Sequence, residues 1–134
     1  MKNQQLQIGC SELVTSRFGE WPSFHDAEVV RLELRRFPTP RIELDLYYFR
    51  TDRETDTSGR FRREDECIVV LWFKDIEDVV LEGFNLQNVL ACMTIEVVDE
   101  VFQVVLHPCY GVSGQFRCRE MEVREVRAIQ EGCY

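Results

Sequence analysis

The sequence predicts a mainly β protein of the α+β class: an antiparallel sheet of six or seven strands with one short N-terminal helix. Three observations carry this prediction. Apolar residues alternate with period two in several runs, turn-forming residues separate most of those runs, and helical spacing is clear only near the start. A length of 134 residues suits one domain, 1–134, with a core of useful size. The balance of 45% hydrophobic and 30% charged residues is that of a globular chain, neither disordered nor fibrous.

The elements follow in order. Ser11 and Glu12, then Leu13, Val14 and Phe18, closed by Gly19, read as a short helix N-capped by the serine and ended by a glycine C-cap. Trp21-Pro22 turns the chain. From Glu28 onward Val30, Leu32 and Leu34 share one face of a strand, with Arg31, Glu33 and Arg35 on the other. The stretch "FPTP", 37–40, reverses direction, and Ile42, Leu44, Leu46 and Tyr48 then alternate with Arg41, Glu43, Asp45 and Tyr47. Pairing Leu32 with Leu44 sets Arg31 across from Asp45, a contact worth a few tenths of a kcal/mol.

Residues 51–66 hold ten charged residues of mixed sign and predict an exposed, mobile loop. "CIVVLWFK", 67–74, is too continuously apolar for a wet face and predicts a central strand covered on both sides. "DIEDVVLEGF" predicts a further strand ending at Gly83, and 85–88 a loop or one helical turn. "CMTIEVVDEVFQVVLH", 92–107, is the clearest hairpin. With Asp99-Glu100 as its two-residue turn, Val98 pairs with Val101, and Val97/Phe102, Ile95/Val104 and Met93/Leu106 form three core pairs. Thr94, Glu96, Gln103 and Val105 take the other face. Tyr110 to Gly114 is a turn, and Phe116 to Ile129 a charged strand with a helical alternative over Met121–Ile129.

The net charge of −8 is unevenly spread. Between Asp75 and Phe116 lie seven acids (Asp75, Glu77, Asp78, Glu82, Glu96, Asp99, Glu100) and no Lys or Arg, while the other 17 acids and 16 bases nearly cancel. Such a balance argues against nucleic acid as a partner, because phosphate binding needs a basic face. A cationic partner fits better. Residues 1–10 lack the apolar core of a signal peptide and no run reaches a membrane span, so the expected compartment is the cytoplasm, with no membrane partner. Six scattered cysteines (Cys10, Cys67, Cys92, Cys109, Cys118, Cys133) form no CxxC pair and read as free thiols, those in strands acting as small hydrophobes.

The one pair of residues that suggests catalysis is His25-Asp26, within "WPSFHDAEVV". Side chains of neighbours entering a strand point to opposite faces, which sets the two badly for joint action. A metal site would need more ligands, and the chain has one other histidine, His107. No GxSxG, P-loop or GxGxxG occurs, and Cys109 near His107 lacks an orienting partner. The expectation is therefore no enzyme, no metal and no cofactor: Asp26 bonds turn amides, His25 is structural, and Trp21 and Phe24 seal the helix against the sheet. A small metal- or ligand-binding domain, or a hydrolase using His25 and Asp26, is the alternative.

The stretches "GEWPSFHDAEVVRLEL", 19–34, and "GFNLQNVL", 83–90, on a strand-rich background, resemble the immunity protein 50 family of bacterial polymorphic toxin systems. The resemblance implies a cytoplasmic antidote that binds a cognate toxin, and Trp21, Phe24, His25 and Asp26 as an architectural signature. It supplies no catalytic residues. The partner-facing residues come from physics: Asp75, Glu77, Asp78, Glu96, Asp99 and Glu100 to steer a basic, nuclease-like cleft, with the outward-phase Tyr47 and Phe49 as aromatic anchors.

Overall fold

Two hairpins set the frame, and both keep the register that their side-chain patterns predict. The computed structural model describes residues 6–55 and 61–129, the side chains of 51–55 and 61–63 excepted. Strand β1 (Glu28–Arg35) pairs antiparallel with β2 (Arg41–Thr55), Leu32 opposite Leu44 and Arg31 opposite Asp45. A bulge at Val30 shifts the phase at the start of β1, so Val29 takes the buried place and Val30 is 49% exposed. Leu34, expected on the same face as Leu32, lies near the strand end and is also exposed.

Strand β4 (Val89–Val98) pairs with β5 (Val101–Tyr110) in the predicted register, Val98 opposite Val101. Asp99 and Glu100 both have positive φ (53° and 64°), as a two-residue turn with the twist of its flanking strands requires. Of the six expected core residues, Met93, Phe102, Val104 and Leu106 are buried and Ile95 packs partly against them. Val97 departs from expectation at 54% exposed, because β5 joins its next neighbour only from Phe102 onward and the hairpin tip projects beyond the packed interior.

Strand β3 (Phe61–Glu82) replaces two predicted strands and part of a predicted loop. Residues 51–55 and 61–66 are strand, not loop, continuing the β2–β3 ladder outward. The run after Lys74 stays in the same strand, with Asp75 and Asp78 at positive φ (55° and 54°) and a register irregularity between Glu77 and Val80. Aspartate tolerates that conformation better than most side chains, so the acids that broke the apolar pattern mark bends within one strand. Cys67, Val69, Leu71 and Phe73 are fully buried on its inner face.

Strand β6 (Ser113–Ala128) is extended throughout, against the helical alternative. Its inward Met121 and Val123 alternate with outward Glu122 and Arg124 against β3, a period of two that a helix would scatter. The order β1-β2-β3-β6-β5-β4 closes into a barrel. Phe73 and Phe116 meet edge-to-face inside it, 4.9 Å between centroids. Helix α1 (Glu12–Phe18) places Val14 in the same core and ends at Gly19 in the left-handed region (φ 84°). Ser11 makes no side-chain cap, since its own backbone is helical (φ −59°, ψ −23°).

Candidate functional site

The barrel closes through the stretch that raised the catalytic question. β1 and β4 share one ladder pair, Glu28 with Val89, and the rest of the seam is backbone bonding by residues 23–29. Asp26 N–H donates to the Leu90 carbonyl (2.9 Å), Leu90 N–H to Ala27 (2.8 Å), Val29 N–H to Asn88 (2.7 Å) and Met93 N–H to Ser23 (2.8 Å). Phe24 and Asp26 reach this geometry at positive φ (60° and 67°). Phe24 is fully buried, with Trp21 (5.6 Å) and Tyr48 (5.1 Å) edge-on to it, and Tyr48 meets Phe18 of α1. Tyr48, between Phe24 and Phe18, thus links this aromatic cluster to the helix.

His25 and Asp26 do not point apart. The left-handed turn presents both to solvent, 69% and 51% exposed, with His25 Nδ1 3.1 Å from Asp26 Oδ2. The carboxylate lies within ion-pair distance of its neighbour's ring rather than against the turn amides as expected. His107 is elsewhere, its Nε2 3.3 Å from Thr94 Oγ1 on the β4–β5 hairpin. Among the described residues no three His, Cys, Asp or Glu side chains gather as a metal site. Cys67 and Cys118 are buried, and burial pushes the Cys67 thiol up and that of Cys118 to about 12, so neither is a thiolate at neutral pH. Cys10, Cys92 and Cys109 are also free thiols, and Cys133 lies outside the described residues.

The second stretch, 83–90, is a fastening. Buried Asn88 accepts from Asn85 N–H (2.9 Å) and Val112 N–H (3.0 Å) and donates to the Asn85 carbonyl (2.8 Å). A Cβ on Gly111 (φ 78°) would collide with the Gln87 carbonyl and the Asn88 side chain, so the turn before β6 requires glycine.

The predicted partner-facing residues fall in two places. Tyr47 and Phe49 stand outward on β2, tilted rings 5.7 Å apart, with the Tyr47 hydroxyl donating to Glu66. With Asp26, Glu28, Gln87 and Val89 they line a groove of about 240 Å³ beside the seam. The acids lie on β3 (Asp75, Glu77, Asp78), on β4 (Glu96) and in the β4–β5 turn (Asp99, Glu100). The ladder sets Glu96 opposite Gln103, Gln103 opposite Arg117, and Arg117 opposite Glu77, so one arginine interrupts the acidic row. Arg117 pairs with Asp78 at 3.6 Å. Among the described residues Asp75, Glu77, Glu96, Asp99 and Glu100 make no ion pair, and all five are exposed.

Sequence reasoning missed a third surface, centred on Trp72. Arg41 and Arg124 stack over its ring from β2 and β6, at 4.5 and 4.1 Å to the centroid. Around it Arg31 reaches Glu33 (2.9 Å), Glu43 (3.0 Å) and Asp45 (3.1 Å), Arg41 reaches Glu43 (2.6 Å), and Lys74 reaches Glu122 (2.7 Å). Burial alone would lift the Glu43 carboxyl, but hydrogen bonds from Arg41 and Arg31 outweigh it and hold the group below its ordinary range. Hydrogen bonds to Asp45 and Glu43 in turn raise the Arg31 guanidinium. These arginines cover the outer face of "CIVVLWFK", which explains an apolar run on a surface strand. The signal was present in the outward Arg/Glu alternation of "RLELR" and "RIELD".

A closed six-stranded antiparallel barrel with one short helix, its carboxylates around Trp72 held by arginine and lysine and its hairpin-tip acids in no ion pair among the described residues, is a scaffold distinguished by its surface. The chain belongs to the Immunity protein 50 family, which it matches over residues 11–129, from the start of the helix to the end of the last strand. The family name suggests an immunity protein, and the likeness carried by 19–34 and 83–90 extends over most of the chain. No curated protein and no solved structure matches it.

Proposed function

We propose that this protein is a cytoplasmic, non-enzymatic antidote that binds a cognate bacterial toxin and neutralises it by holding an acidic surface against a basic, nuclease-like cleft. The observation that carries the reading is the segregation of charge. Asp75, Glu77, Glu96, Asp99 and Glu100 lie without ion pairs among the described residues, whereas the carboxylates around Trp72 are held by arginines. Unpaired exposed charges steer association at little cost in stability. Asp78, softened by Arg117, is the weakest contributor. Tyr47 and Phe49 supply aromatic surface for the same toxin beside Asp26 and Glu28. Nucleic acid and membrane are not partners in this reading, and no cofactor takes part.

The test is to purify the tagged protein from its own host at low salt and identify what comes with it. A basic toxin domain, released by raised salt, supports the reading. Repeated recovery of the protein without a toxin overturns it. One observation favours a second reading, the exposed His25–Asp26 contact at 3.1 Å. As a small hydrolase or metal-binding domain, the purified protein would carry stoichiometric metal and lose activity, though not its fold, in His25→Ala.

A further inference from the structure

Among the described residues β4 leaves part of one edge unpaired. β4 pairs with β5 along its length, but on its other side the backbone bonds stop at Met93, whose N–H donates to Ser23. In an antiparallel ladder successive residues turn their N–H and C=O to opposite sides. Because Met93 directs its N–H away from β5 and the register runs unbroken from Cys92 to Val98, Ile95 and Val97 direct theirs the same way. Among the described residues no backbone group meets them. An open strand edge is a template for another strand.

That edge borders a groove of about 540 Å³, lined among others by Leu6, Ile8, Trp21, Ile95, Val97 and Phe102. The groove exists because Gly9 bonds to Met121 and Val123 of β6 (both 2.9 Å), which carries the N-terminal segment past the hairpin tip without touching β4 through its backbone. It also explains why Val97 is exposed although its phase points inward. On the outer side of the same edge stands Glu96, and at its tip Asp99 and Glu100.

We infer that β4 accepts a strand of the toxin by β-augmentation: an extended segment pairing with Ile95 and Val97, its inward residues apolar and its outward residues basic, to meet Glu96 and the Asp99-Glu100 turn. The backbone donors and acceptors require an extended chain, the groove requires apolar side chains on alternate residues, and the acids on the other face require cations between them. The inference rests on the proposed antidote role and names the surface that performs it.

Hydrogen exchange on the full chain, alone and with the co-purified toxin domain, tests it. The Ile95 and Val97 amides exchange fast in the free protein and slow at least tenfold in the complex. A companion variant, Val97→Pro, removes the edge N–H without touching the β5 ladder, and weakens toxin binding on the order of tenfold, while Val97→Thr keeps most of it. Retained circular dichroism and thermal unfolding of the proline variant show that the fold is intact, and the exchange result stands without it. Toxin binding with these two amides unprotected overturns the strand-addition site while leaving the antidote role in place. Protection already present in the free protein, whether independent of concentration or growing with it, also overturns the site, because the edge is then held by this chain or by a second copy. Failure of the wild-type protein to bind any toxin overturns both.

Discussion

The face around Trp72 and the tip of the β4–β5 hairpin are both charged surfaces of one barrel, yet they are built to opposite rules. On the first, carboxylates are half-buried or buried and each is matched by a guanidinium or ammonium: Glu43, 7% exposed, lies between Arg31 and Arg41. At the second, Glu96, Asp99 and Glu100 are exposed and no ion pair reaches them among the described residues. Pairing makes the first face part of the fold. The tip contributes little to folding and keeps its field for something outside the molecule. Charge content alone does not separate these roles, but burial and pairing do.

The largest effect should come from breaking the paired face. Glu43→Gln keeps the shape and removes the charge between two arginines, and should cost about 2 kcal/mol in urea unfolding. The same group gives a pH dependence of known sign. The Glu43 carboxyl lies below its ordinary value of 4.5 in the folded state, so the unfolded chain binds the proton first. Its contribution is complete above pH 4.5 and is lost as pH falls through the lower folded value. Wild-type stability should therefore decline in that acidic window, and the Gln variant should decline less. Equal acid sensitivity of the two proteins would show that Glu43 contributes nothing to it.

Next in size is an effect on association. Glu96→Gln with Asp99→Asn should slow binding of the cognate toxin on the order of tenfold at low salt, with little change in the dissociation rate and a flatter salt dependence. The matching change on the paired face, Glu122→Gln, should leave the association rate nearly as it was. If both pairs of rates respond alike, steering belongs to the whole molecule and the contrast between the faces fails.

What the sequence revealed and concealed follows the same division. The β4–β5 register was readable because the Asp99-Glu100 turn fixes it and alternation is unbroken on both sides. The β1–β2 pairing was readable for the same reason, and Arg31 does meet Asp45. β3 was not, because Asp75 and Asp78 look like breaks in an apolar pattern and are bends within a strand. The Trp72 face was missed because its charges come from four strands, and period-two reading shows which residues face out without showing which strands are neighbours. The His25–Asp26 contact was misjudged because alternation was applied one turn too early: at φ 67° the chain is not yet a strand.

A smaller stability effect should come from the turn itself. Glu100 holds φ 64°, a conformation that glycine adopts without strain. Glu100→Gly should stabilise the hairpin by about 0.5 kcal/mol, the relief of backbone strain exceeding the added entropy of the unfolded chain, as a raised midpoint in urea would show. The same substitution removes one of the tip's carboxylates, so it should also slow toxin association. One residue would then move stability and recognition in opposite directions, as no residue of the paired face should.

The smallest effect is the most direct measure of how idle the tip is in folding. Asp99→Asn keeps a side chain suited to φ 53° and deletes one of three neighbouring negative charges. Since Glu96, Asp99 and Glu100 repel one another with no cation between them among the described residues, neutralising one should leave stability unchanged or raise it, by less than about 0.5 kcal/mol. Any gain should vanish in 1 M salt, where charges interact over only about 3 Å. A loss of 1 kcal/mol or more would mean that Asp99 is engaged within the fold, and the hairpin tip would then belong with the Trp72 face rather than opposite to it.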